Sequence, residues 1–157
     1  MFLLELAVAL KSNNVSYALV GGLAVALHGV TRGTVDIDII IHINKANFVA
    51  VEKALTGLGL VSRIPVTAKE MTIFRLDYIK KRNLVAWSFA NPKNPSQVVD
   101  IIIILDKKDI NVDLISIYGI KIPVISKKDL IEMKTKSGRP QDLEDVKALK
   151  SLSVRKL

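Results

Sequence analysis

The sequence predicts a mixed α/β fold, a mixed β-sheet flanked by helices. Three observations predict it. Several segments repeat apolar residues at helical spacing. Others are short β-branched runs, above all Val98 to Leu105. The two kinds are interleaved without strict strand–helix–strand alternation, which argues against an all-parallel sheet. The chain has 157 residues, half of them hydrophobic and 24% charged, so it is globular rather than disordered, and residues 1–157 read as a single domain.

In chain order, residues 2–12 place Leu3, Leu6 and Leu10 on one helical face, and Asn13-Asn14 ends the helix. Val15 to Val20 reads as a strand that turns at Gly21-Gly22. Leu23 to His28 reads as a short helix with Leu23, Ala26 and Leu27 inward, closed by Gly29. Val35 to Ile43 is a second strand. Asn44 is an N-cap for a helix over Lys45 to Leu58, with Phe48, Val51 and Leu55 on its buried stripe. Leu60 to Ile64 reads as an edge strand, Pro65 to Thr72 as a loop or short turn, Ile73 to Tyr78 as a strand, and Lys80-Lys81-Arg82 as a basic turn. Leu84 to Phe89 is a strand, and 91–95 a loop by its Asn and Pro content.

Val98 to Leu105 is nearly continuous in β-branched residues, the pattern of a central strand covered on both faces. Asp106 to Ile117 reads as a helix, and Ile120 to Ile125 as a short strand broken by Pro123. Ser126 and Asp129 form a capping box for a helix to about Lys136, stopped by Gly138. Pro140 suits the first turn of a last helix with Leu143, Val146 and Leu149 inward.

Composition excludes some chemistry. There is no cysteine, hence no disulfide and no thiolate metal site, and two histidines are too few for a histidine-built zinc centre. No apolar run is long enough to span a membrane. The first residues lack a basic segment and carry Glu5, so they read as an amphipathic helix and the expected compartment is the cytoplasm. The net charge of +8 suits an anionic partner such as a nucleotide or RNA, and equally an ordinary solubility charge.

The chemistry concentrates between Val20 and Ile43. Side chains alternate along a strand, so Asp36 and Asp38 point the same way within a run otherwise made of Val35, Ile37, Ile39, Ile40 and Ile41. Desolvation and mutual repulsion both oppose ionisation of such a pair, and a divalent cation would remove the conflict. Asp100 interrupts the most buried-looking strand. Beside the first two it would complete a three-carboxylate set suited to Mg²⁺, with two ions able to orient a hydroxyl and neutralise a leaving pyrophosphate. Read alone, Asp100 could equally start its strand at an exposed edge. Gly21 and Gly22 precede a helix, where backbone N–H groups can meet a phosphate closely.

The order Gly-Gly, helix, Arg32-x-Thr-x-Asp36-x-Asp38, with a further carboxylate on a later strand, resembles the minimal nucleotidyltransferases of the DNA polymerase β superfamily, and within it the AbiEii/AbiGii toxin-like branch. The C-terminal run with Lys134, Gly138, Arg139 and Asp142 resembles that branch's lysine-bearing helix and G-R-x-x-D motif. The likeness lies in three separated blocks and leaves residues 44–97 uncovered. Gly22 stands where many relatives have serine. The resemblance implies a nucleotidyltransferase fold and an enzyme that moves a nucleoside monophosphate from an NTP to a hydroxyl acceptor. Asp36, Asp38 and Asp100 would be catalytic and hold Mg²⁺. Gly21, Gly22, Arg32, Lys134, Arg139 and Asp142 would bind the nucleotide.

The motif is shared by enzymes that modify tRNA ends, proteins, small molecules and antibiotics; the positive charge leans towards RNA such as tRNA, which would make the protein a toxin-like component of a toxin–antitoxin system. A cognate toxin or antitoxin protein that receives AMP is the alternative, and a nucleotide-binding module without turnover is a third reading. Lys134 shares the inward stripe of its helix with Leu130, so it either snorkels or reaches an internal anion. Arg32 could contact phosphate or lie in a solvated turn, and Arg139 could contact phosphate or pair with Asp142. His28 is expected to pack its turn. His42, about 13 Å along the strand from Asp38, is too far for shared ligation with Asp36. Trp87, Phe89 and Tyr78 read as core.

Overall fold

The computed structural model describes residues 1–155. Seven strands form one mixed sheet: β1 (Tyr17–Val20), β2 (Ile37–Ile41), β3 (Val61–Ser62), β4 (Ala86–Asn91), β5 (Asn94–Ile102), β6 (Val112–Ile117) and β7 (Ile120–Ile125), in the order β3-β4-β5-β2-β1-β7-β6. Six α-helices accompany it: α1 (Phe2–Ser12), α2 (Gly21–Leu27), α3 (Lys45–Gly57), α4 (Ala68–Arg82), α5 (Lys127–Ser137) and α6 (Pro140–Arg155), with one 3₁₀ turn at Lys107–Asp109. Adjacent pairs are antiparallel except β2–β5 and β1–β7, which are parallel. No described helix is long and apolar enough to cross a membrane.

Register separates the two faces. Directly paired residues share a face. Trp87 pairs with Ile101, Phe89 with Val99, and these continue across to Ile39 and Ile37 and then to Leu19. All are buried. Phe48 of α3 meets Trp87 edge-on at 6.1 Å between ring centroids, so α3 covers this face. Trp87 also packs on Phe89, and its indole N–H donates to Ser62 Oγ at 3.0 Å. α1 and α4 pack on α3. The opposite face carries Val20, Asp38, Asp100 and Ser88 in one row.

Local chemistry sets the element ends. Asn44 caps α3 by accepting from the N–H of Asn47 at 2.7 Å. The expected stripe Phe48, Val51, Leu55 is buried, as are Leu3, Leu6 and Leu10 of α1.

Several expectations are corrected. Residues 68–82, read as loop, strand and basic turn, form α4, started by a reciprocal capping box between Thr67 and Glu70 and ended by Asn83 at φ 52°. Its apolar Ile73, Phe74 and Leu76 face outward and imitate a strand run. The inward face is built on Ala68, Met71 and Arg75, whose Nε donates to the Ile103 carbonyl at 2.6 Å. Residues 106–117, read as a helix, are the 3₁₀ turn and β6, joined to β7 by Tyr118-Gly119, both at positive φ as a tight hairpin turn requires. β7 runs unbroken through Pro123, which pairs with Leu114. Residues 91–95 are mostly strand, with only Pro92-Lys93 turning between β4 and β5.

The second strand starts at Ile37 rather than Val35, and the central strand runs Asn94–Ile102. In α2 Gly22, Ala24 and Val25 are fully buried, while Leu23 and Leu27 are half-buried against the core. In α6 Leu143 is exposed, because Asp142 and Asp145 take the inward positions with Val146 and Leu149. Ser126 Oγ caps α5, but Asp129 accepts the backbone N–H of Asn111.

Candidate active site

Parallel pairing of β2 with β5 sets Asp38 directly beside Asp100, within hydrogen-bonding reach. On the far side β4 supplies Ser88, whose hydroxyl donates to Asp100 Oδ1 at 2.5 Å. Burial pushes the Asp38 carboxyl up to about 7, and the charges of Asp100 and Asp36 reinforce the shift against the opposing charge of Lys134. Asp36 does not share the strand. It is exposed, one residue ahead of β2, and acts on Asp38 through its charge. The expected buried pair 36/38 is thus replaced by the cross-strand pair 38/100. Strand alternation alone could not show where the ladder begins.

Gly21 lies directly over Asp38. Its φ is +71°, and a Cβ there would stand 2.1 Å from Asp38 Oδ2, so both backbone and space require glycine. Gly22 is buried under Arg32, whose Nη2 would be 3.2 Å from a Cβ at that position.

Behind the carboxylates stands a buried ionic cluster. Lys134 is only 6% exposed, and its ammonium lies 3.2 Å from Asp142 Oδ1 and 2.9 Å from Asp145 Oδ2. At 2.9 Å the ammonium compensates the charge on Asp145 Oδ2. Arg32 Nε donates to Asp145 Oδ1 at 3.0 Å, and Arg139 Nε to Asp142 Oδ2 at 2.9 Å. Burial pushes Asp142 up, but hydrogen bonds from Arg139, Ser137 and Lys134 outweigh it and hold the group at about 2. Asp145 is likewise held low against its burial by Lys134, Gln141 and Arg32. Lys134 reaches internal anions, as one of its two readings required, and those anions are the protein's own.

The site residues therefore fall into two groups. Gly21, Asp38, Lys134, Arg139 and Asp142 line one cleft of about 580 Å³, a volume suited to a nucleotide, with an apolar wall that includes Ile102, Leu105 and Met133. Arg32, Gly22, Asp36 and Asp100 are not among its lining residues, although Asp100 pairs in register with Asp38. Sequence reasoning missed Ser88, which only the register reveals. It also missed Asp145, which the Asp142-x-x-Asp145 spacing on one helix face signals. His28 Nε2 donates to the Ile125 carbonyl at 2.7 Å and packs the turn as expected, and His42 pairs with Asp106.

The donor set around Asp38 is all carboxylate oxygen, the choice of a hard divalent cation such as Mg²⁺. Among the described residues no three acidic or histidine side chains are gathered ready to hold a metal. The assembled part is the Asp38–Asp100 pair, whose mutual repulsion a cation would relieve.

No protein-family model matches the chain, and no curated protein matches it in sequence. Solved structures do. The solution structure of the antibiotic-resistance factor ANT(2″)-Ia is 14% identical, with a TM-score of 0.64 over 98% of this chain and 84% of that one. The crystal structure of ANT(2″)-Ia with adenylyl-2″-tobramycin gives 14% identity and 0.63 over 99% and 90%. A candidate nucleotidyltransferase from Thermotoga maritima gives 18% and 0.62 over 97% and 91%. At these identities the likeness is one of architecture: the chain has the fold these nucleotidyltransferases share.

Proposed function

We propose that the protein is a Mg²⁺-dependent nucleotidyltransferase that moves a nucleoside monophosphate from an NTP to a hydroxyl acceptor. The observation that carries this reading is Asp38, set in register beside Asp100 on one sheet face, lying beneath Gly21 and lining a nucleotide-sized cleft. Asp38 and Asp100, with Asp36 at the rim, would hold Mg²⁺. When bound, the ion neutralises phosphate charge and eases ionisation of the acceptor hydroxyl.

The chain's own residues do the rest. Asp100, oriented by Ser88, accepts the acceptor hydroxyl proton. That oxygen forms a bond to the α-phosphorus as the bond to the β-phosphate oxygen breaks, and pyrophosphate leaves. Gly21 lets the triphosphate approach without a side chain between it and Asp38. Arg139, its side chain 77% exposed, meets the outer phosphates, and the Lys134 cluster fixes the cleft wall. The resemblance to the AbiEii/AbiGii branch and the +8 charge support tRNA as acceptor and a toxin–antitoxin role. ANT(2″)-Ia, crystallised with an adenylylated tobramycin, supports adenylyl transfer as the chemistry.

The test is transfer of label from each of four α-labelled NTPs, with Mg²⁺, into whole-cell tRNA and protein in parallel. Label in RNA is the expected result, lost on Asp38→Asn or Asp100→Asn with the fold retained. Label in one protein band moves the acceptor to a partner protein. Full activity of either variant overturns the carboxylate assignment, and absence of NTP binding overturns the whole reading.

A further inference from the structure

A second cavity, of about 520 Å³, lies at the opposite end of β1, between α1 and the β6–β7 hairpin, and shares no lining residue with the carboxylate cleft. Three ammonium groups from three elements line it: Lys11 from the last turn of α1, Lys107 from the 3₁₀ turn and Lys121 from β7. The remaining polar lining is hydroxyl, from Ser12, Ser16 and Tyr17, and no carboxylate contributes.

Among the described residues none of the three lysines has a carboxylate partner. Lys107 donates only to Ser16 Oγ, at 3.0 Å. Its sequence neighbour Asp106 is turned away, to His42 and the Lys108 backbone N–H. Tyr17 is 6% exposed and lines the cavity, and its hydroxyl has no hydrogen-bond partner among the described residues. Burial pushes the phenol up to about 12, which keeps it a donor.

Uncompensated like charges beside free hydroxyl donors lose energy to mutual repulsion, and an oxyanion with several acceptor oxygens relieves it. We propose that this cavity is a phosphate-binding site, separate from the carboxylate cleft, in which Lys11, Lys107 and Lys121 supply charge and Tyr17 and Ser16 orient the anion. A polynucleotide backbone and a free phosphorylated molecule both present this phosphate chemistry.

Binding to the full chain distinguishes these sources. A labelled single-stranded RNA oligonucleotide is followed by anisotropy, and inorganic phosphate by calorimetry, both without divalent metal. The variant Lys11→Gln/Lys107→Gln/Lys121→Gln is compared with Lys69→Gln/Lys80→Gln/Lys93→Gln, which removes the same charge from exposed positions elsewhere. The cavity variant is expected to weaken RNA binding at least about tenfold and to lower the salt slope by about 2 to 3, against less than about threefold for the control. Loss for RNA alone identifies a backbone phosphate, and loss for both ligands identifies a site for the phosphate group itself. Equal loss in the two variants, or no binding of either ligand by the unaltered protein, overturns the proposal. If the triple variant does not fold, Lys121→Glu and Tyr17→Phe are read instead, and RNA and phosphate affinities unchanged in both overturn it equally. The readout is binding, so its failure leaves the transfer reading untouched.

Discussion

Gly21 shows how much one residue can fix. With φ at +71° and Asp38 Oδ2 where a Cβ would go, Gly21→Ala is expected to cost about 1–3 kcal/mol and to abolish nucleotide transfer. Gly33→Ala, with nothing within 4 Å, is the neutral control in urea denaturation. Asp38 makes a second prediction at this scale. Its folded value of about 7 lies above the ordinary carboxylate value, so the folded state binds this proton more tightly than the unfolded chain. The stability that proton provides is complete at pH below about 4 and is lost as pH rises towards 7. The melting temperature of the metal-free protein should therefore fall across that window, the fall should vanish in Asp38→Asn, and Mg²⁺ should restore stability most at pH 7. Asp38 and Asp100 were legible because a charge inside an apolar β run is costly wherever the strand sits. Ser88 was not, because serine is ordinary in any strand and only the register shows that it meets Asp100. Asp36 was misplaced because alternation gives a side chain's direction but not where pairing stops.

At the scale of elements, α5 and α6 are joined by Lys134 reaching across to Asp142 and Asp145. Lys134→Met would leave two buried carboxylates short of their cation. It is expected to cost about 3–5 kcal/mol in chemical denaturation, with most of the loss recovered by combining it with Asp142→Asn and Asp145→Asn. Legibility differs by element for physical reasons. α1 and α3 carry a continuous buried stripe and were read directly. α4 buries only Ala68 and Met71 fully and exposes Ile73, Phe74 and Leu76, so its hydrophobic pattern points the wrong way and only the Thr67–Glu70 cap declares it. β6 is a sheet edge with Leu114 exposed, which leaves no alternation strong enough to outweigh the charged Asp106–Asp109 run before it. The basic cavity was illegible because Lys11, Lys107 and Lys121 come from three distant segments.

For the whole molecule, the sheet order is what makes a site from scattered residues. β1–β2 and β4–β5 are each antiparallel pairs of neighbouring strands, and each brings one of the two acids. Their junction is the parallel β2–β5 ladder, where Asp38 meets Asp100. The two halves can form from nearby sequence, but their union must close a long loop. It must also press two carboxylates together at the moment of closure. Sheet completion is expected to be faster when that pair is neutralised, by a proton in acid or by a divalent cation near neutrality. The divalent cation proposed for this pair would thus also act earlier, easing the protein's own folding.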